Sequence, residues 1–565
     1  MVDIRFQLRR DTAANWELAN PILRDGEPGL VKGTRQIKFG DGFSPWIDLP
    51  FGSVDDLNQL IDDFSFLVAW GDAKGRAALV LLDDEENTLR SPHLDRVTLE
   101  AARGNEVAAR SKVVDDVPFL VAWGDDTGRA ALAVLDDEDN TIQNPWLGKQ
   151  FALVAEMAGG SRLPKIATFG DSRTDFNSTG ASIFSHGYIY HLQYLTGNRF
   201  YFDDSLNFGV NGDTTALMVA RLATVVAAPA DIVIVLGGTN DRNSGSTITA
   251  AQTIANLTTI RDTLLAAKKT VIFIAEMPRG DAAFPALRLT GSQLAYHLRV
   301  REWLLAQRAA KGCFVADPWP SMVDYSSATA DAKTNMHRDG IHEGPLGALR
   351  MAQALAPIIT TILPPAPSRL AAGAADFFSA DNPDGNLLGN GALTGVGGTK
   401  SGTVTGDVAD GWTVSAPAGV TIAASIVTDA DGTRWQQMAI SGATTGGVVA
   451  AYFQRAISTP ADVAAGDVIE AVNRFQIDAG ATGYRSEFSN LRAVVGGANI
   501  DASSGAVATD SIGIAEARSG IQQNPRLTLS AAPTSVTLRM SVQFIAATTI
   551  AMTIRFALPA IRKVI

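Results

Sequence analysis

Short apolar runs alternate with amphipathic segments in the central third of the chain. Four runs lack polar alternation, at Lys165 to Phe169, Asp231 to Leu236, Thr270 to Ile274 and Phe314 to Ala316. Between them, helical patterns cover Ala216 to Ala227, Ala250 to Ala267 and Leu294 to Ala310. Strands that are apolar on both faces are typical of a parallel sheet covered by helices. We therefore predict a three-layer α/β domain over residues 160–363, with a last helix from Pro345 to near Pro357.

The chain changes character after residue 375, where Gly, Thr, Ala, Val and Ser dominate. Val536 to Phe544 and Ile550 to Phe556 alternate polar and apolar residues, as half-buried strands do. The sequence Pro364-Pro365-Ala366-Pro367 predicts a stiff linker before this part. We predict an antiparallel β-sandwich over residues 375–565.

The first 52 residues predict a small module. Ile4 to Leu8 and Gln36 to Phe39 read as short strands, and Thr12 to Ala19 reads as a helix. A unit of this size cannot form a stable core alone, so we expect residues 1–52 to oligomerise or to dock on other chains.

Residues 53–148 contain an internal repeat. FLVAWGDAKGRAALVLLDDEENT, from Phe66 to Thr88, recurs with few changes from Phe119 to Thr141. Each copy predicts a β-hairpin, and each is preceded by a predicted charged helix, at Asp55 to Asp63 and at Leu94 to Ala109. Stacking on neighbouring chains is typical of such repeats. The acidic clusters after each hairpin lack the ordered spacing of a calcium loop, which favours a solvated turn.

Composition and charge exclude some classes of function and of partner. A chain of 565 residues is expected to form several domains, and its net charge of −12 argues against nucleic acid as a partner. The single cysteine, Cys313, lies in an apolar stretch and predicts a buried core thiol. We find neither a signal-peptide pattern nor an apolar run long enough to span a membrane. The product is expected to be cytoplasmic when it is made, and an extracellular role would need another route, such as assembly into a particle.

A serine follows the first apolar run of the central domain. Gly170-Asp171-Ser172 stands at the carboxyl end of a predicted parallel strand, which is where α/β sheets bind ligands. A serine that only caps a helix is the alternative, and the three-residue motif alone does not exclude it.

Three further motifs favour chemistry at Ser172. The loop from Asn207 to Thr214 carries Gly209 and Gly212, either of which can offer a backbone amide to an oxyanion. Asn240 follows the strand that ends at Leu236 and offers a side-chain amide. In Asp339-Gly340-Ile341-His342, the carboxylate can orient an imidazole that acts as general base. Each motif could instead be a turn or a helix cap, but four in order at element ends favour an active site.

These four motifs resemble those of GDSL/SGNH hydrolases, over about 200 residues. The resemblance implies a flavodoxin-like α/β fold, Ser172 as nucleophile, His342 as base and Asp339 as its orienting group. It also implies an oxyanion hole made by the amides of Ser172 and Gly212 and by the Asn240 side chain. The sequence lacks the G-x-S-x-G elbow of α/β-hydrolases and any metal-ligand motif, so no cofactor is expected. His337 is the one rival base nearby, and Thr334 stands where it would need a carboxylate.

The N-terminal module resembles those of phage tail-fibre and tropism-determinant proteins, through QLRRDTAANW, NPILRDGEPG and KFGDGFSPWIDLPF. The GRAAL repeats resemble hairpins of tail-fibre shafts. These resemblances imply a virion tail protein that binds other tail proteins, forms a homotrimer and contacts a host surface glycan. The last domain loosely resembles carbohydrate-binding modules. Aromatic residues there could stack on sugars, although core packing is favoured for each of Trp412, Trp435, Tyr452 and Tyr484.

The predicted function is a virion-associated serine esterase that removes O-acetyl or similar acyl groups from a host surface polysaccharide. Two alternatives stay open. The first is a receptor-binding tail protein whose hydrolase-like domain is inactive, and the second is a free lipase or thioesterase.

Overall fold

The structure is a computed structural model that describes most of the second half of the chain and parts of the first. The described residues are 9–23, 28–31, 37–39, 42–49, 66–71, 77–82, 119–124, 130–135, 163–444, 449–458, 460–506, 512–546 and 549–564. The chain divides into two compact units, Met1–Gly148 and Lys149–Ile565.

The first unit begins with a small sheet and one helix. Strand β1 (Arg9–Asp11) pairs parallel with β2 (Pro28–Val31), which pairs antiparallel with β3 (Ile37–Phe39). Helix α1 spans Ala13–Ala19, and the Thr12 hydroxyl caps it by accepting the Asn15 N–H at 3.3 Å. The predicted helix is therefore confirmed, whereas the strand predicted at Ile4 to Leu8 lies outside the described residues. A small core is formed by Trp16, Leu23, Val31, Trp46 and Leu49.

The repeat forms two hairpins of the same register. Strand β4 (Phe66–Gly71) pairs antiparallel with β5 (Ala77–Leu82), and β6 (Phe119–Gly124) pairs antiparallel with β7 (Ala130–Leu135). This confirms the predicted hairpins. Their turns, the acidic clusters and the predicted flanking helices lie outside the described residues.

A five-stranded parallel sheet lies at the centre of the hydrolase-like part. Its strands are β8 (Ile166–Gly170), β11 (Asn207–Gly209), β12 (Ile232–Leu236), β13 (Thr270–Ile274) and β14 (Cys313–Ala316). They are arranged in the order β11-β8-β12-β13-β14. Every residue of β8 and β12 is buried, as expected for strands covered on both faces. Cys313 is buried at the start of β14, as predicted.

Helices cover this sheet and confirm the predicted three-layer α/β class. Their bounds are α2 Ser172–Asp175, α3 Tyr188–Leu195, α4 Thr215–Ala220, α5 Leu222–Val226, α6 Ala250–Ala266, α7 Gly291–Ala306, α8 Trp319–Met322 and α9 Pro345–Ile362. Single 3₁₀ turns occur at Asp204–Leu206, Thr239–Arg242, Pro285–Leu287 and Gln307–Ala309. Helix α6 contacts α4 and α7, and α3 contacts α9.

Two helix predictions were wrong in detail. The segment predicted as one helix from Ala216 to Ala227 breaks at Arg221, which has φ −111° and ψ 11°. The Arg221 side chain donates to the carbonyl oxygens of Gly170 and Phe208, which holds it at the edge of the sheet. Helix α9 continues past Pro357 to Ile362. Pro357 lies on the exposed face, so its ring meets solvent, while buried Ile359 holds the last turn against the core.

The rest of the second unit is built from two large sheets. The strands are β9 Ser178–Thr179, β10 Ser182–Phe184, β15 Gly397–Ser401, β16 Thr403–Gly406, β17 Val408–Ser415, β18 Val420–Thr428, β19 Arg434–Ala443, β20 Ala450–Ser458, β21 Val468–Ile477, β22 Tyr484–Val495, β23 Ala498–Ala506, β24 Arg518–Gln523, β25 Leu527–Thr528, β26 Ser535–Phe544 and β27 Thr549–Lys563. One sheet runs β15-β17-β20-β26-β22-β23-β10-β9 and the other β16-β18-β19-β27-β21-β24, with β25 beside β21.

These sheets confirm the predicted β-rich C-terminal region, with one refinement. Most neighbours are antiparallel, but β15 with β17, β16 with β18 and β10 with β23 are parallel. The aromatic rings of Trp412, Phe453 and Phe556 stack in sequence, with centroids 4.4 and 6.4 Å apart. Trp412, Trp435 and Tyr484 are buried, which confirms core packing for these three aromatic residues. Tyr452 is half-buried, with the Arg539 guanidinium 4.4 Å from its ring centre.

The hydrolase-like part and the β-sheets share one hydrophobic core. Strand β10, which follows the Ser172 segment in sequence, pairs with β23, placing Ser182 opposite Ser503. Helix α3 also packs on β24 of the other sheet. The second unit is thus continuous from the parallel sheet into the β-sheets.

Candidate active site

Ser172 lies at the point where β8 passes into α2. Asp171 caps this short helix, since its carboxylate accepts the Arg173 N–H at 3.0 Å, and Ser172 is the first helical residue. The serine is 6% exposed, at the carboxyl end of the strand where the sequence predicted a ligand-binding edge.

His342 links Ser172 to Asp339 through two hydrogen bonds, and we call these three residues the triad. The His342 Nε2 atom lies 2.8 Å from Ser172 Oγ, and His342 Nδ1 lies 2.6 Å from Asp339 Oδ2. An imidazole with its proton on Nδ1 donates to Asp339 and accepts from the serine hydroxyl. At these distances His342 can take the hydroxyl proton when the Ser172 oxygen acts as a nucleophile.

The turn that carries the aspartate holds both of its oxygens. Asp339 Oδ1 accepts the backbone N–H groups of His342 at 2.8 Å and Ile341 at 3.1 Å. Gly340 has φ +87°, and a Cβ there would lie 2.6 Å from a Phe284 side-chain atom, so the turn requires glycine. Burial raises the pKa of Asp339, but the hydrogen bonds from His342 and Ile341 outweigh it and hold the pKa well below its usual range. The carboxylate is therefore charged and can stabilise an imidazolium.

His337, the rival base, is not the histidine that is hydrogen-bonded to Ser172. It is buried and forms a β-bridge with Glu343. Burial lowers its pKa to about 4, which keeps the ring neutral. The hydrogen bond to Ser172 Oγ comes from His342 instead.

The two glycines considered as oxyanion donors differ in their surroundings. The Gly209 N–H already donates to Asn207 Oδ1 at 3.2 Å, and a Cβ on Gly209 would lie 2.0 Å from the Asp175 nitrogen. Gly209 is thus needed for close packing of β11 on α2. Gly212 is exposed, and the backbone hydrogen bonds of the described residues use neither its N–H nor that of Ser172. These two amides are available to a ligand.

Asn240 is held in a fixed orientation near the same loop. Its Nδ2 donates to the Asp213 carbonyl at 2.9 Å, and its Oδ1 accepts from Asn243 Nδ2 at 3.2 Å. One Nδ2 hydrogen remains for a ligand. The next residue, Asp241, accepts from the Thr215 N–H at 2.9 Å and from the Thr253 hydroxyl at 2.6 Å, which ties this turn to α4 and α6.

A buried charged group beneath Ser172 was missed by the sequence reasoning. Arg173 is 3% exposed and forms ion pairs with Asp171 at 3.0 Å and Glu276 at 3.6 Å. Burial raises the pKa of Glu276 to about 7, with Arg173 opposing the shift. The available signal was Glu276 itself, a charged residue two positions after the end of a buried strand.

Two further properties concern only the described ranges of the chain. No group of three or more His, Cys, Asp or Glu side chains there is placed to hold a metal ion. Within the same ranges, no helix is both long and apolar enough to cross a bilayer.

Comparison with known proteins identifies two families within the chain. Residues 168–350 match the profile of the GDSL-like Lipase/Acylhydrolase family, a span that includes Ser172, Gly212, Asn240, Asp339 and His342. Residues 6–44 match the Major tropism determinant N-terminal domain. No curated protein sequence matches the chain.

Solved structures similar to this chain include three bacterial and fungal proteins. A GDSL-like lipase from Bacteroides thetaiotaomicron is 18% identical, with a TM-score of 0.28, and the match covers 38% of this chain and 98% of that one. A carbohydrate acetylesterase family member from Sinorhizobium meliloti is 17% identical, with a TM-score of 0.28 and coverage of 35% and 98%. A carbohydrate esterase family 3 protein from Talaromyces cellulolyticus is 18% identical, with a TM-score of 0.26 and coverage of 35% and 98%. The chain thus contains one region that matches the GDSL-like lipase/acylhydrolase family and another that matches the major tropism determinant N-terminal domain.

Proposed function

We propose that the protein hydrolyses esters through an acyl-enzyme on Ser172. His342 removes the hydroxyl proton as Ser172 attacks the ester carbonyl, and then donates it to the departing alcohol. A water molecule, deprotonated by His342, then attacks the acyl-enzyme, and the proton returns to Ser172 as the carboxylic acid leaves. Asp339 holds the imidazole and stabilises its charged form. The observation that carries this proposal is the pair of hydrogen bonds at 2.8 and 2.6 Å that joins the three side chains.

The negative charge that develops on the carbonyl oxygen must be stabilised by hydrogen-bond donors. We assign these to the backbone N–H groups of Ser172 and Gly212 and to the side-chain amide of Asn240. The uncommitted amides of Ser172 and Gly212 support this assignment, as does the fixed orientation of Asn240. Gly209 is a poor candidate because its amide is used within the protein.

The proposed setting is the tail of a phage particle, where the enzyme removes O-acetyl or similar small acyl groups from a host surface polysaccharide. The support is the match of residues 6–44 to a tropism determinant domain in the same chain as an ester hydrolase. A tail protein meets the cell surface first, and esters on surface glycans are substrates within its reach. Other tail proteins, a homotrimeric assembly and the host glycan belong to this proposal as partners.

The esterase proposal is tested with p-nitrophenyl acetate and the full chain. We expect Ser172→Ala to abolish turnover, whereas the matched control Ser326→Ala, at an exposed serine whose hydroxyl bonds Asp324, keeps the wild-type rate. Equal rates for wild type and Ser172→Ala would refute the proposal. Absence of turnover in the wild type would instead favour a receptor-binding protein with an inactive domain, which the hydrogen-bonded triad argues against.

The substrate proposal needs a separate test. Acetate release is measured after incubation of the full chain with purified capsular polysaccharides and O-antigens of candidate hosts. We expect release from at least one glycan, dependent on Ser172. Hydrolysis of long-chain acyl esters without release from any glycan would overturn the polysaccharide assignment in favour of a lipase or thioesterase.

A further inference from the structure

An aromatic surface adjoins the triad on one side. It consists of Phe176, Phe184 and His186, and we call it the aromatic wall. The Phe176 ring meets the His342 ring edge-on, with centroids 4.9 Å apart and planes at 67°. Phe176 also meets His186 edge-on at 5.8 Å, and Phe184 stacks on His186 at 5.0 Å with planes at 17°. Three successive ring contacts therefore link His342 to Phe184.

Local structure fixes each ring of the wall. Phe176 ends α2, and its N–H donates to the Ser172 carbonyl at 3.0 Å. Phe184 lies in β10, where the strand alternation buries Ile183 and leaves Phe184 partly exposed. Because β10 pairs with β23, the wall is anchored to the large sheet, and the Ser185 N–H donates to the Ala506 carbonyl at 2.8 Å.

The chemistry of ester cleavage decides which part of a substrate the wall would contact. The carbonyl oxygen must face the proposed oxyanion donors, which are the N–H groups of Ser172 and Gly212 and the side-chain amide of Asn240. The alcohol oxygen must lie within hydrogen-bonding distance of His342 Nε2, which returns the proton to it. Since Phe176 packs against His342, the wall borders the side of the ester from which the alcohol departs.

Phe184 has fewer contacts within the protein that would compete with a ligand than Phe176 has. The Arg338 guanidinium lies 4.5 Å from the Phe176 ring centre, so this ring is already engaged by Arg338 and by His342. Phe184 is engaged by His186 through one face and remains partly exposed. A planar group stacked on the remaining face of Phe184 would lie at the end of the series of rings that begins at His342.

We propose that the aromatic wall is a subsite for the sugar ring that carries the ester, with the ring stacked on Phe184. A pyranose presents a flat face of C–H groups to an aromatic ring and keeps its hydroxyl groups at the rim, in water. A partly exposed aromatic ring attached to a rigid strand suits such a group, because it supplies apolar contact at little cost in conformational entropy. This inference rests on the proposed esterase function and deepens it, by stating where the alcohol portion of the substrate binds.

The experiment compares two acetate esters on the full chain, methyl acetate and glucose pentaacetate. The first has a leaving group too small to reach Phe184, and the second carries a pyranose. We measure kcat/KM for each ester with wild type, Phe184→Leu, Phe184→Tyr and the control Phe377→Leu, which changes a phenylalanine that is 51% exposed. Melting temperatures check that each variant is folded.

The expected result is a change in selectivity. Phe184→Leu lowers the ratio of kcat/KM for the sugar ester over that for methyl acetate by about five- to tenfold, the upper part of the range to which aromatic contact energies convert. Phe184→Tyr, which keeps the ring, stays within about twofold of the wild-type ratio on the same scale, as does Phe377→Leu. An unchanged ratio in Phe184→Leu, or parallel loss of both activities, overturns the subsite. Absence of Ser172-dependent turnover of both esters would instead overturn the esterase proposal itself.

Discussion

A buried ion pair between β22 and β24 supports the junction between the hydrolase domain and the β-sheets. Glu487 and Arg518 are 3% and 5% exposed and hydrogen-bond each other. Glu487 also accepts from the Tyr190 hydroxyl of α3 at 3.2 Å, and Gln522 donates to the same hydroxyl at 2.8 Å. The carboxylate therefore connects a helix of the hydrolase domain to two strands of the β-sheets.

We predict that Glu487→Gln destabilises the second unit strongly. The substitution keeps the shape of the side chain but leaves the Arg518 guanidinium in the interior without its countercharge. Loss of one partner of a buried ion pair costs about 3–5 kcal/mol. The matched control is Asp501→Asn, whose partner Arg492 lies on the same strand as Glu487, with both side chains about one-third exposed at 36% and 35%. An exposed pair contributes at most about 1 kcal/mol, because water already solvates both charges.

The assay is urea unfolding of the full chain, followed by circular dichroism and, in parallel samples, by esterase activity. We expect the midpoint of activity loss to fall much further in Glu487→Gln than in Asp501→Asn, since the hydrolase domain and the β-sheets share one core. Equal shifts for the two variants would refute the argument from burial. Loss of activity well before loss of sheet signal would refute the shared core.

Four further predictions concern single residues. Asn240→Ala lowers kcat on p-nitrophenyl acetate about 100-fold or more; a change confined to KM would contradict its role as oxyanion donor. Asp339→Asn lowers kcat by about 10³–10⁴-fold, and a loss under about tenfold would exclude the proposed orientation of the imidazole. Burial raises the pKa of Glu276 from 4.5 to about 7. Between these two pH values the folded state holds a proton that the unfolded state has released. The free energy of unfolding therefore falls as pH rises through this window. Glu276→Gln should therefore flatten the melting temperature across that window, and an unchanged slope would disprove the assignment. Pro357→Ala restores a backbone donor inside α9 and should stabilise the protein by about 1–3 kcal/mol; a lower melting temperature would contradict this.

The parallel sheet was predictable because its strands are buried on both faces. Such strands appear in the sequence as uninterrupted apolar runs, and the strand Thr270–Ile274 was predicted with the same first and last residues. The candidate site followed from the same fact. Residues at the carboxyl ends of parallel strands meet at one edge, so Ser172 and Asn240 were expected there without knowledge of the fold. The Asp339 to His342 pair was predictable because its geometry depends on a three-residue turn.

The pairing of β10 with β23 was not predictable in the same way. It joins residues such as Ser182 and Ser503, which are far apart in sequence, and no local pattern encodes that register. The burial of Arg173 could not be predicted from the sequence for a related reason. Charged residues are normally exposed unless paired, and the partner Glu276 is brought to it only by the fold.

Covalent labelling tests the central claim most directly. The full chain is treated with a fluorophosphonate, which reacts with activated serines, and the modified peptide is located by mass spectrometry. The account predicts one adduct on Ser172 that forms in proportion to the loss of esterase activity and does not form in His342→Ala. An adduct on a different residue that accompanies the loss of activity, or full activity after complete labelling of Ser172, would contradict it.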